Sequence, residues 1–394
     1  MAGQQGASTS RATGRVFPEL TAQHAALWGR HPVRIEHALA RTGLFTDEAL
    51  ERLLLDYPRE NYDLIHMAEQ GTGNLAHWTE GDLGRATAAD VLHAIKAGRI
   101  WINLRRVHEV DPRYNDLLEQ IFAELSEAMP GFRPWKLNFG ILISSPRAQV
   151  YYHADVPGQS LWQVRGSKRV FVYPNTPPFL PEEQIEGVVL SMTEAEIDYE
   201  PWFDEHAQVF DLLPGQMLNW PLNGPHRVEN NDELSISVTT EHWTNDIRNL
   251  YACRYANGLL RRKLGLKPGP PRARGLRVWP KAALALGVKK LGLMKADKHE
   301  KRIEWGRAPT RCAFRASRAD EGRQARKAHR VGARPHGARL HASHRAVGAR
   351  VATHLRQGAV KVYGRPMGVP AMLTKPRTRS PEAGGSSICS VTWV

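Results

Sequence analysis

Cysteine is scarce in this chain of 394 residues, which has three: Cys253, Cys312 and Cys389. Their spacing matches neither a zinc-binding pattern nor a disulfide framework, and such usage is typical of a reducing compartment, so we expect a cytoplasmic protein. No apolar run is long enough to span a bilayer, and the N-terminus lacks the charged-then-apolar order of a signal peptide. The sequence therefore predicts no membrane partner.

Acidic residues are almost missing from residues 306–394, which hold three of them against 18 lysines and arginines. Residues 1–305 hold 36 basic and 37 acidic residues, so the formal charge of +14 originates in this tail. The tail lacks apolar periodicity and is predicted to be a separate, basic, low-complexity region that is disordered on its own. Two interpretations stay open: an arm that contacts nucleic acid through phosphates, and a GC-rich coding sequence read out of frame. The tail has only three aromatic residues for base stacking, so we expect no nucleic-acid partner except through it.

What the chain does contain is His153-Ala154-Asp155, followed by Lys168 and then by His226. On a β-strand, residues i and i+2 point to the same side, so His153 and Asp155 can bind one metal ion together. The third ligand, His226, comes 73 residues after His153, so only the fold can bring it close. Two imidazoles and one carboxylate are the facial set that holds ferrous iron and leaves the opposite positions open.

A His-x-acid triplet is weak evidence by itself. With 17 histidines and 40 acidic residues in 394 positions, about two such triplets are expected by chance, and the plain alternative is a hydrogen-bonded or solvent-facing strand histidine. The surrounding sequence supports the metal site. Pro214-Gly215 is a turn that starts a short apolar strand, a loop then delivers His226, and residues 234–240 alternate with period two. Strand, loop histidine and strand in this order predict the rim of a β-barrel.

From about residue 135 to residue 243 the sequence resembles the cupin-like JmjC domain of Fe(II)- and 2-oxoglutarate-dependent dioxygenases. Three ordered motifs carry the resemblance: the triplet at 153–155, the hairpin Gln163-Val164-Arg165-Gly166-Ser167-Lys168-Arg169, and the Pro-Gly segment at 214–226. The branch that it resembles most includes the asparaginyl hydroxylase acting on hypoxia-inducible factor. The resemblance implies a mainly β fold with helical extensions around a double-stranded β-helix, the jelly roll of cupin and JmjC proteins.

By the same resemblance, His153, Asp155 and His226 are the expected catalytic centre and the ligands of Fe(II). Lys168 is expected to pair with the distal carboxylate of the cosubstrate 2-oxoglutarate. Its spacing of 15 residues from His153 is the one expected in that branch. The reaction implied is the oxidation of a substrate coupled to decarboxylation of 2-oxoglutarate to succinate.

Two further residues are assigned to cosubstrate binding by the resemblance. Gln159 stands where the family often has an asparagine near the cosubstrate. Val150 stands where a hydroxyl-bearing residue commonly assists the lysine, so Tyr152, or its neighbour Tyr151, is expected to take that part if its side chain points inward. Glutamine at 216 replaces the usual acidic residue after Pro-Gly, a turn detail.

The alternative for Lys168 is a strand-edge lysine that discourages pairing between sheets. Its neighbours Val170 and Val172 share its face of the strand, so the ammonium lies on an apolar surface. An ammonium in such a place is costly without an anionic partner, which favours the cosubstrate role.

The expected function is that of a Fe(II)- and 2-oxoglutarate-dependent dioxygenase that hydroxylates a protein side chain or a small metabolite. The sequence does not identify the substrate, and nothing in it singles out demethylation. The rival is a non-catalytic, metal-binding cupin that acts as a regulator, with the basic tail contacting nucleic acid. Lys168 separates the two because a pure binding module has no need of a buried cation facing the metal.

Outside the barrel the apolar periodicity is mostly helical. We expect a disordered N-terminus at 1–15, a helical part at 16–134 that packs on the barrel and adds one strand to it, the barrel at 135–245, and a helical region at 246–305. These C-terminal helices are a candidate homodimer contact, as in the branch named above. Residues 173–207 are expected to form an irregular insert, either a substrate-selecting loop over the barrel mouth or an exposed flap without a role.

Overall fold

The computed structural model describes residues 14–67, 78–84, 86–98, 100–191, 197–291 and 303–305. All of them belong to one structural unit of the chain. The tail at 306–394 lies outside the described residues, and so does the predicted disordered N-terminus up to residue 13.

The strands of the described residues form two β-sheets. Their bounds are β1 (Val33–Glu36), β2 (Tyr62–Met67), β3 (Trp78–Gly81), β4 (Ile100–Leu104), β5 (Trp135–Ser144), β6 (Gln149–His153), β7 (Gly158–Arg165), β8 (Lys168–Val172), β9 (Gln208–Leu212), β10 (Gln216–Asn219), β11 (His226–Asn230), β12 (Ser235–Trp243) and β13 (Ile303–Trp305). The larger sheet has nine strands in the order β1-β10-β7-β12-β5-β4-β2-β3-β13, and the smaller has four in the order β6-β11-β8-β9.

The chain passes back and forth between the two sheets from β5 to β12. It places β5, β7, β10 and β12 side by side in the larger sheet, and β6, β8, β9 and β11 in the smaller one. Every pairing among these eight strands is antiparallel. This is the jelly-roll topology of a double-stranded β-helix, so the predicted fold class is confirmed.

The N-terminal region contributes more strands than the sequence indicated. β1 pairs with β10 at one edge of the larger sheet, and β4, β2 and β3 extend the other edge beyond β5. The prediction that this region adds one strand to the barrel was wrong, because β1, β2, β3 and β4 all join the larger sheet. β1 to β3 have four to six residues each, too few for alternation to distinguish a strand from other apolar segments.

Eight α-helices and three 3-10 helices complete the described structure. The α-helices are α1 (Ala22–Leu27), α2 (Asp47–Leu54), α3 (Ala88–Ala97), α4 (Val107–Val110), α5 (Pro112–Ala128), α6 (Glu182–Ser191), α7 (Asn245–Leu264) and α8 (Val278–Lys290), and the 3-10 helices span Leu39–Thr42, Arg59–Asn61 and Pro201–His206. Thr46 and Thr87 cap α2 and α3, accepting hydrogen bonds from the backbone of Ala49 and Asp90. Threonine is among the residues that helix N-caps favour.

The main core lies between the N-terminal helices and the outer face of the larger sheet. α5 buries a stripe at helical spacing, including Tyr114, Ile121 and Leu125, against strand residues such as Phe139 and Trp162. A second, smaller core lies between the sheets and includes Leu161, Val170, Val172, Leu218 and Trp220. Each large aliphatic or aromatic side chain buried in these cores contributes about 1.5–3 kcal/mol, so the barrel is a rigid support for whatever its interior holds.

The segment at 173–207 is not irregular, which corrects the expectation from the sequence. It contains α6 and the 3-10 helix at Pro201–His206. Ile185, Val188 and Val189 are buried at helical spacing, and Glu186 of α6 forms an ion pair with Arg261 of α7 at 2.8 Å. Pro181 immediately precedes α6, Glu182 and Glu183 lie in its first turn, and Pro201 begins the 3-10 helix.

The two helices predicted after the barrel are present as α7 and α8. α7 begins at the cap residue Thr244 and ends at Gly265, which has a left-handed backbone. α8 packs along α7. The homodimer contact through these helices stays a prediction. None of the helices in the described ranges is long and apolar enough to cross a bilayer.

Candidate active site

The ends of two neighbouring strands bring the predicted ligands together. β6 ends at His153, β11 begins at His226, and these two residues face each other in the antiparallel pair. A bulge separates this pair from the next, Val228 opposite Val150. Asp155 follows in the short connection to β7. Residues far apart in sequence therefore meet at one end of the barrel.

The three side chains form a compact group of donors. Nε2 of His153 lies 3.9 Å from Oδ1 of Asp155, and Nε2 of His226 lies 3.5 Å from Oδ2. One donor atom from each residue can be chosen so that all three lie within 4.8 Å of one another. Two imidazole nitrogens and one carboxylate oxygen at such distances suit a divalent first-row metal ion with open positions.

Backbone carbonyls set the orientation of both imidazole rings. Nδ1 of His153 lies 2.7 Å from the carbonyl oxygen of Tyr151, and Nδ1 of His226 lies 3.1 Å from that of Gly224. Because a carbonyl only accepts, each Nδ1 carries the proton and each Nε2 keeps its lone pair for a metal. Burial and the neighbouring His153 lower the pKa of His226 well below its ordinary value, which keeps this ring neutral.

Gln159 contacts the carboxylate of Asp155 rather than Lys168. The orientation of its amide is assigned from its surroundings: with the nitrogen toward Asp155, it donates to both carboxylate oxygens, at 2.7 Å to Oδ1. Gln159 therefore holds the metal-binding carboxylate in place. Its expected contact with the cosubstrate stays a prediction.

Asn223 and Arg254 fix the backbone of Asp155, a role that no sequence pattern indicated. The side-chain amide of Asn223 donates to the carbonyl oxygen of Asp155 at 2.5 Å. Arg254 of α7 donates to the amide oxygen of Asn223 at 2.5 Å and to Glu182 of α6 at 3.2 Å. Asn223 is 4% exposed and has a φ of 58°, a backbone region that asparagine tolerates better than most residues. The Leu-Asn-Gly sequence indicates a turn there, but not its partner 31 residues further on.

Lys168 is a buried cation without a partner among the residues that the structure describes. Its side chain is on the inner face of β8 with Val170 and Val172, and the residue is 2% exposed. Among the residues that the structure describes, its ammonium forms neither a hydrogen bond nor an ion pair, and burial lowers its pKa to about 7. The neighbouring Asn230 donates its amide protons elsewhere, to Ser144 and Ser145. A group of this kind is costly unless an anion reaches it.

A tight turn delivers Lys168 to that position. Gly166 lies between β7 and β8 with a φ of 70°, in the left-handed region that favours glycine. A Cβ atom at this residue would overlap the carbonyl of Leu234. The backbone conformation of this turn therefore explains the glycine in the Gln163–Arg169 motif. The turn also determines the face of β8 on which Lys168 lies.

Tyr152 does not lie beside Lys168, which corrects the expectation for this residue. Its ring packs against Tyr173 and Phe203 on the outer face of the smaller sheet, and its hydroxyl donates to the carbonyl of Phe179 at 2.7 Å. Val150 faces inward with Val228 in the core between the sheets. Tyr151 lies in the bulge between Val150 and His153, so simple alternation does not determine which way its side chain points.

The donor set and the lysine together fit a metal ion and a carboxylate ligand. His226 and Lys168 belong to adjacent strands of the smaller sheet, and both are buried on its inner face. Asp155 is the single anionic donor of the group of three, so a divalent ion bound there retains positive charge for a further anionic ligand. His242 of β12 does not belong to this group and is buried among Trp28, Phe122 and Phe132.

Comparisons with known proteins found similar chains among solved structures. Escherichia coli YcfD aligns with 17% identity over 75% of this chain and 76% of its own, at a TM-score of 0.42. A structure described as the ribosomal oxygenase YcfD aligns with 18% identity over 73% of each chain, at a TM-score of 0.40. A third, in complex with cobalt and 2-oxoglutarate, aligns with 17% identity over 70% of each chain, at 0.39. No family model and no curated protein matches. The function is therefore inferred from the geometry of the site.

Proposed function

We propose that this protein is a Fe(II)- and 2-oxoglutarate-dependent oxygenase that hydroxylates its substrate. One observation carries the proposal: a buried lysine without a described partner lies on the same inner sheet face as the His153-Asp155-His226 group. The metal-binding group alone would suit many cupins. The lysine lies further along the same sheet face, where burial disfavours its charged form, so an anion that reaches it is stabilising, and a dicarboxylate cosubstrate bound at the metal supplies one.

In this proposal His153, Asp155 and His226 hold the ferrous ion, and Lys168 binds the distal carboxylate of 2-oxoglutarate. Bound there, the two groups supply the oxidation: dioxygen adds one oxygen atom to the cosubstrate, which becomes succinate and carbon dioxide, and the other to a C–H bond of the substrate.

The chain's own residues position and orient these groups. The carbonyls of Tyr151 and Gly224 fix the ring tautomers, and Gln159 fixes the carboxylate of Asp155. Such surrounding hydrogen bonds tune metal affinity, typically by ten- to a hundredfold. The apolar residues around Lys168, among them Val170 and Leu212, lower the polarity around the ammonium and strengthen its attraction to a carboxylate.

The substrate is proposed to be a protein side chain, with a small metabolite as the open alternative. The proposal of a protein substrate is supported by the sequence resemblance to the asparaginyl hydroxylase branch. A regulator that binds metal without catalysis would have the three ligands but no use for Lys168.

An anaerobic titration of the full-length protein with ferrous iron and 2-oxoglutarate tests this function without knowledge of the substrate. Chelated 2-oxoglutarate on iron gives a visible charge-transfer band. We expect the band in the wild type, its loss in Asp155→Ala, and a large rise in the required cosubstrate in Lys168→Met.

The matched control is Arg169→Met, because Arg169 is the next residue of β8 and pairs with Asp211 on the exposed side. It should titrate like the wild type. Iron binding without a band would favour the regulator, and the absence of iron binding would reject the site altogether.

A further inference from the structure

α8 presents apolar side chains to solvent as well as to the protein. Val278 and Ala285 are 5% and 4% exposed and pack inward, with Lys289 lying over the ring of Tyr251. On the opposite side, Trp279 is 74% exposed, Leu286 56% and Leu291 72%, with Leu284 at 38%. These four residues are called here the outer face of α8.

The helical repeat divides the outer face into two stripes, with the small residues Ala283 and Gly287 between them. Trp279 and Leu286 are seven residues apart and lie on one stripe, and Leu284 and Leu291 form a second stripe in the same way. Leu276, just before the helix, is 87% exposed. Each of these large side chains left in water forgoes about 1.5–3 kcal/mol of burial, and clustered exposure of this kind marks a binding surface.

The charges around the outer face are of one sign. Residues 260–291 contain ten lysines and arginines and no aspartate or glutamate. Arg261 and Arg274 pair with acidic residues of other elements. For Lys263, Lys267 and Lys290, and likewise Arg277 and Lys281, the described part of the chain supplies no acidic partner.

The loop between α7 and α8 keeps these cations close to the helix. It runs back along α7, where Asn257 donates to the carbonyl of Gly269 at 3.1 Å. Lys281 of α8 donates to the same carbonyl at 3.1 Å. Lys281, Arg277 and Arg272 also line one small cavity, of about 160 Å³, at this junction. The cationic loop and α8 therefore form one surface.

We propose that this surface docks on an anionic lipid membrane. Tryptophan and leucine on one side of a helix flanked by lysine and arginine suit the boundary between acyl chains and acidic headgroups. A second copy of the chain would bring two surfaces of the same charge together, and the tail at 306–394 is itself strongly basic. Nucleic acid would pair with the cations but gain little from exposed leucines. The sequence-based expectation of no membrane partner is the opposite prediction, and the experiment below decides between the two.

Flotation of the full-length protein with lipid vesicles tests the proposal. The vesicles are phosphatidylcholine with phosphatidylglycerol, and phosphatidylcholine alone. We expect binding to the anionic vesicles, and a loss of about tenfold or more in Trp279→Ala/Leu286→Ala. The control is Leu55→Ala/Leu213→Ala, which removes two apolar side chains that are 63% and 50% exposed on other elements. It should bind like the wild type.

The basic tail attracts anionic vesicles equally in all these variants, so equal binding of the wild type and the α8 variant would overturn the proposal. A second readout locates the contact: lipids brominated in their acyl chains should quench wild-type fluorescence more than that of Trp279→Phe, and equal quenching would also overturn it. If sedimentation instead shows a dimer that the α8 variant dissociates, with no vesicle binding by the wild type, the outer face belongs to a second copy.

Discussion

The two faces of the smaller sheet differ in whether a charged side chain on them has partners among the described residues. On the outer face, Arg227 lies 3.5 Å from the ring centroid of Phe171, donates to Asp204 at 2.7 Å and to the hydroxyl of Tyr173 at 2.8 Å, and pairs with Glu229. On the inner face, Lys168 is more deeply buried and has no described partner.

This difference distinguishes charged residues that stabilise the fold from a charged residue that is available to a ligand. The pairs around Arg227 satisfy one another, so the outer face is complete without a ligand. The inner face is incomplete in two places, at the three metal-binding side chains and at Lys168, and a charge left unpaired in the interior costs stability. The inner face is therefore the place where a ligand's binding energy compensates for a cost already present in the fold.

The largest expected effect is the loss of metal binding in Asp155→Ala. The substitution removes the only carboxylate of the site, so iron affinity should fall by more than the ten- to hundredfold typical of changes around a metal site. Calorimetry under anaerobic conditions measures it. Asp211→Ala, on the exposed side of the same sheet, is the control, and a variant at 155 that binds iron as tightly as this control would contradict the assignment.

Breaking the outer network should cost stability and spare the site. Arg227→Met leaves Asp204 without its cation, and because both groups are partly exposed we expect a loss of about 2–3 kcal/mol in the free energy of unfolding. Urea denaturation gives that value, and the charge-transfer titration gives the second readout at a temperature where the variant is folded. An unchanged stability would mean that the network on the outer face is incidental.

Asn223→Ala should weaken iron binding by about ten- to a hundredfold, because the carbonyl oxygen of Asp155 loses the hydrogen bond from Asn223 that holds its backbone in place. Arg254→Met should also weaken iron binding, but by a smaller factor, since Arg254 acts through Asn223. Measuring iron affinity together with unfolding distinguishes positioning from general damage. If both variants lose stability but retain iron affinity, the hydrogen bonds of Asn223 and Arg254 do not position the metal-binding carboxylate.

Lys168 should make cosubstrate binding depend on pH. Its pKa is lowered by burial from 10.5 to about 7, and a carboxylate partner would raise it again. Above pH 7 binding then takes up a proton, so affinity for 2-oxoglutarate should fall by a factor approaching ten per pH unit. Calorimetry at pH 8 in two buffers of different ionisation enthalpy measures the uptake. The same heat in both buffers would show that Lys168 does not titrate with binding.

The sequence predicted the parts of the site that depend on local pattern. The i, i+2 rule placed His153 and Asp155 together, and alternation along β8 placed Lys168 on the face of Val170 and Val172. Alternation counted from Val150 places Tyr152 inward, but the bulge between Val150 and His153 breaks that count, and Tyr152, the neighbour of His153, faces outward.

Longer-range contacts were beyond local pattern. The hydrogen bond from Arg254 to Asn223, which supports the backbone of Asp155, depends on the packing of α6 on α7. This tertiary contact has no sequence motif. The helices within 173–207 were missed for a related reason. Their prolines and acidic residues favour a loop, and the burial of Ile185 and Val188 that stabilises α6 depends on partners elsewhere in the chain.

Lys168→Met tests the central claim most directly, when unfolding and 2-oxoglutarate binding are measured on the same preparation at pH 7 or below. Replacing an unpaired buried cation with an apolar side chain of similar length should raise the free energy of unfolding by about 1–3 kcal/mol and weaken cosubstrate binding at least tenfold. Arg169→Met, which removes an exposed ion pair from the same strand, should do neither. A Lys168→Met protein that is less stable than the wild type, or that binds 2-oxoglutarate equally well, would contradict the view that this lysine is held in the barrel for an anionic ligand.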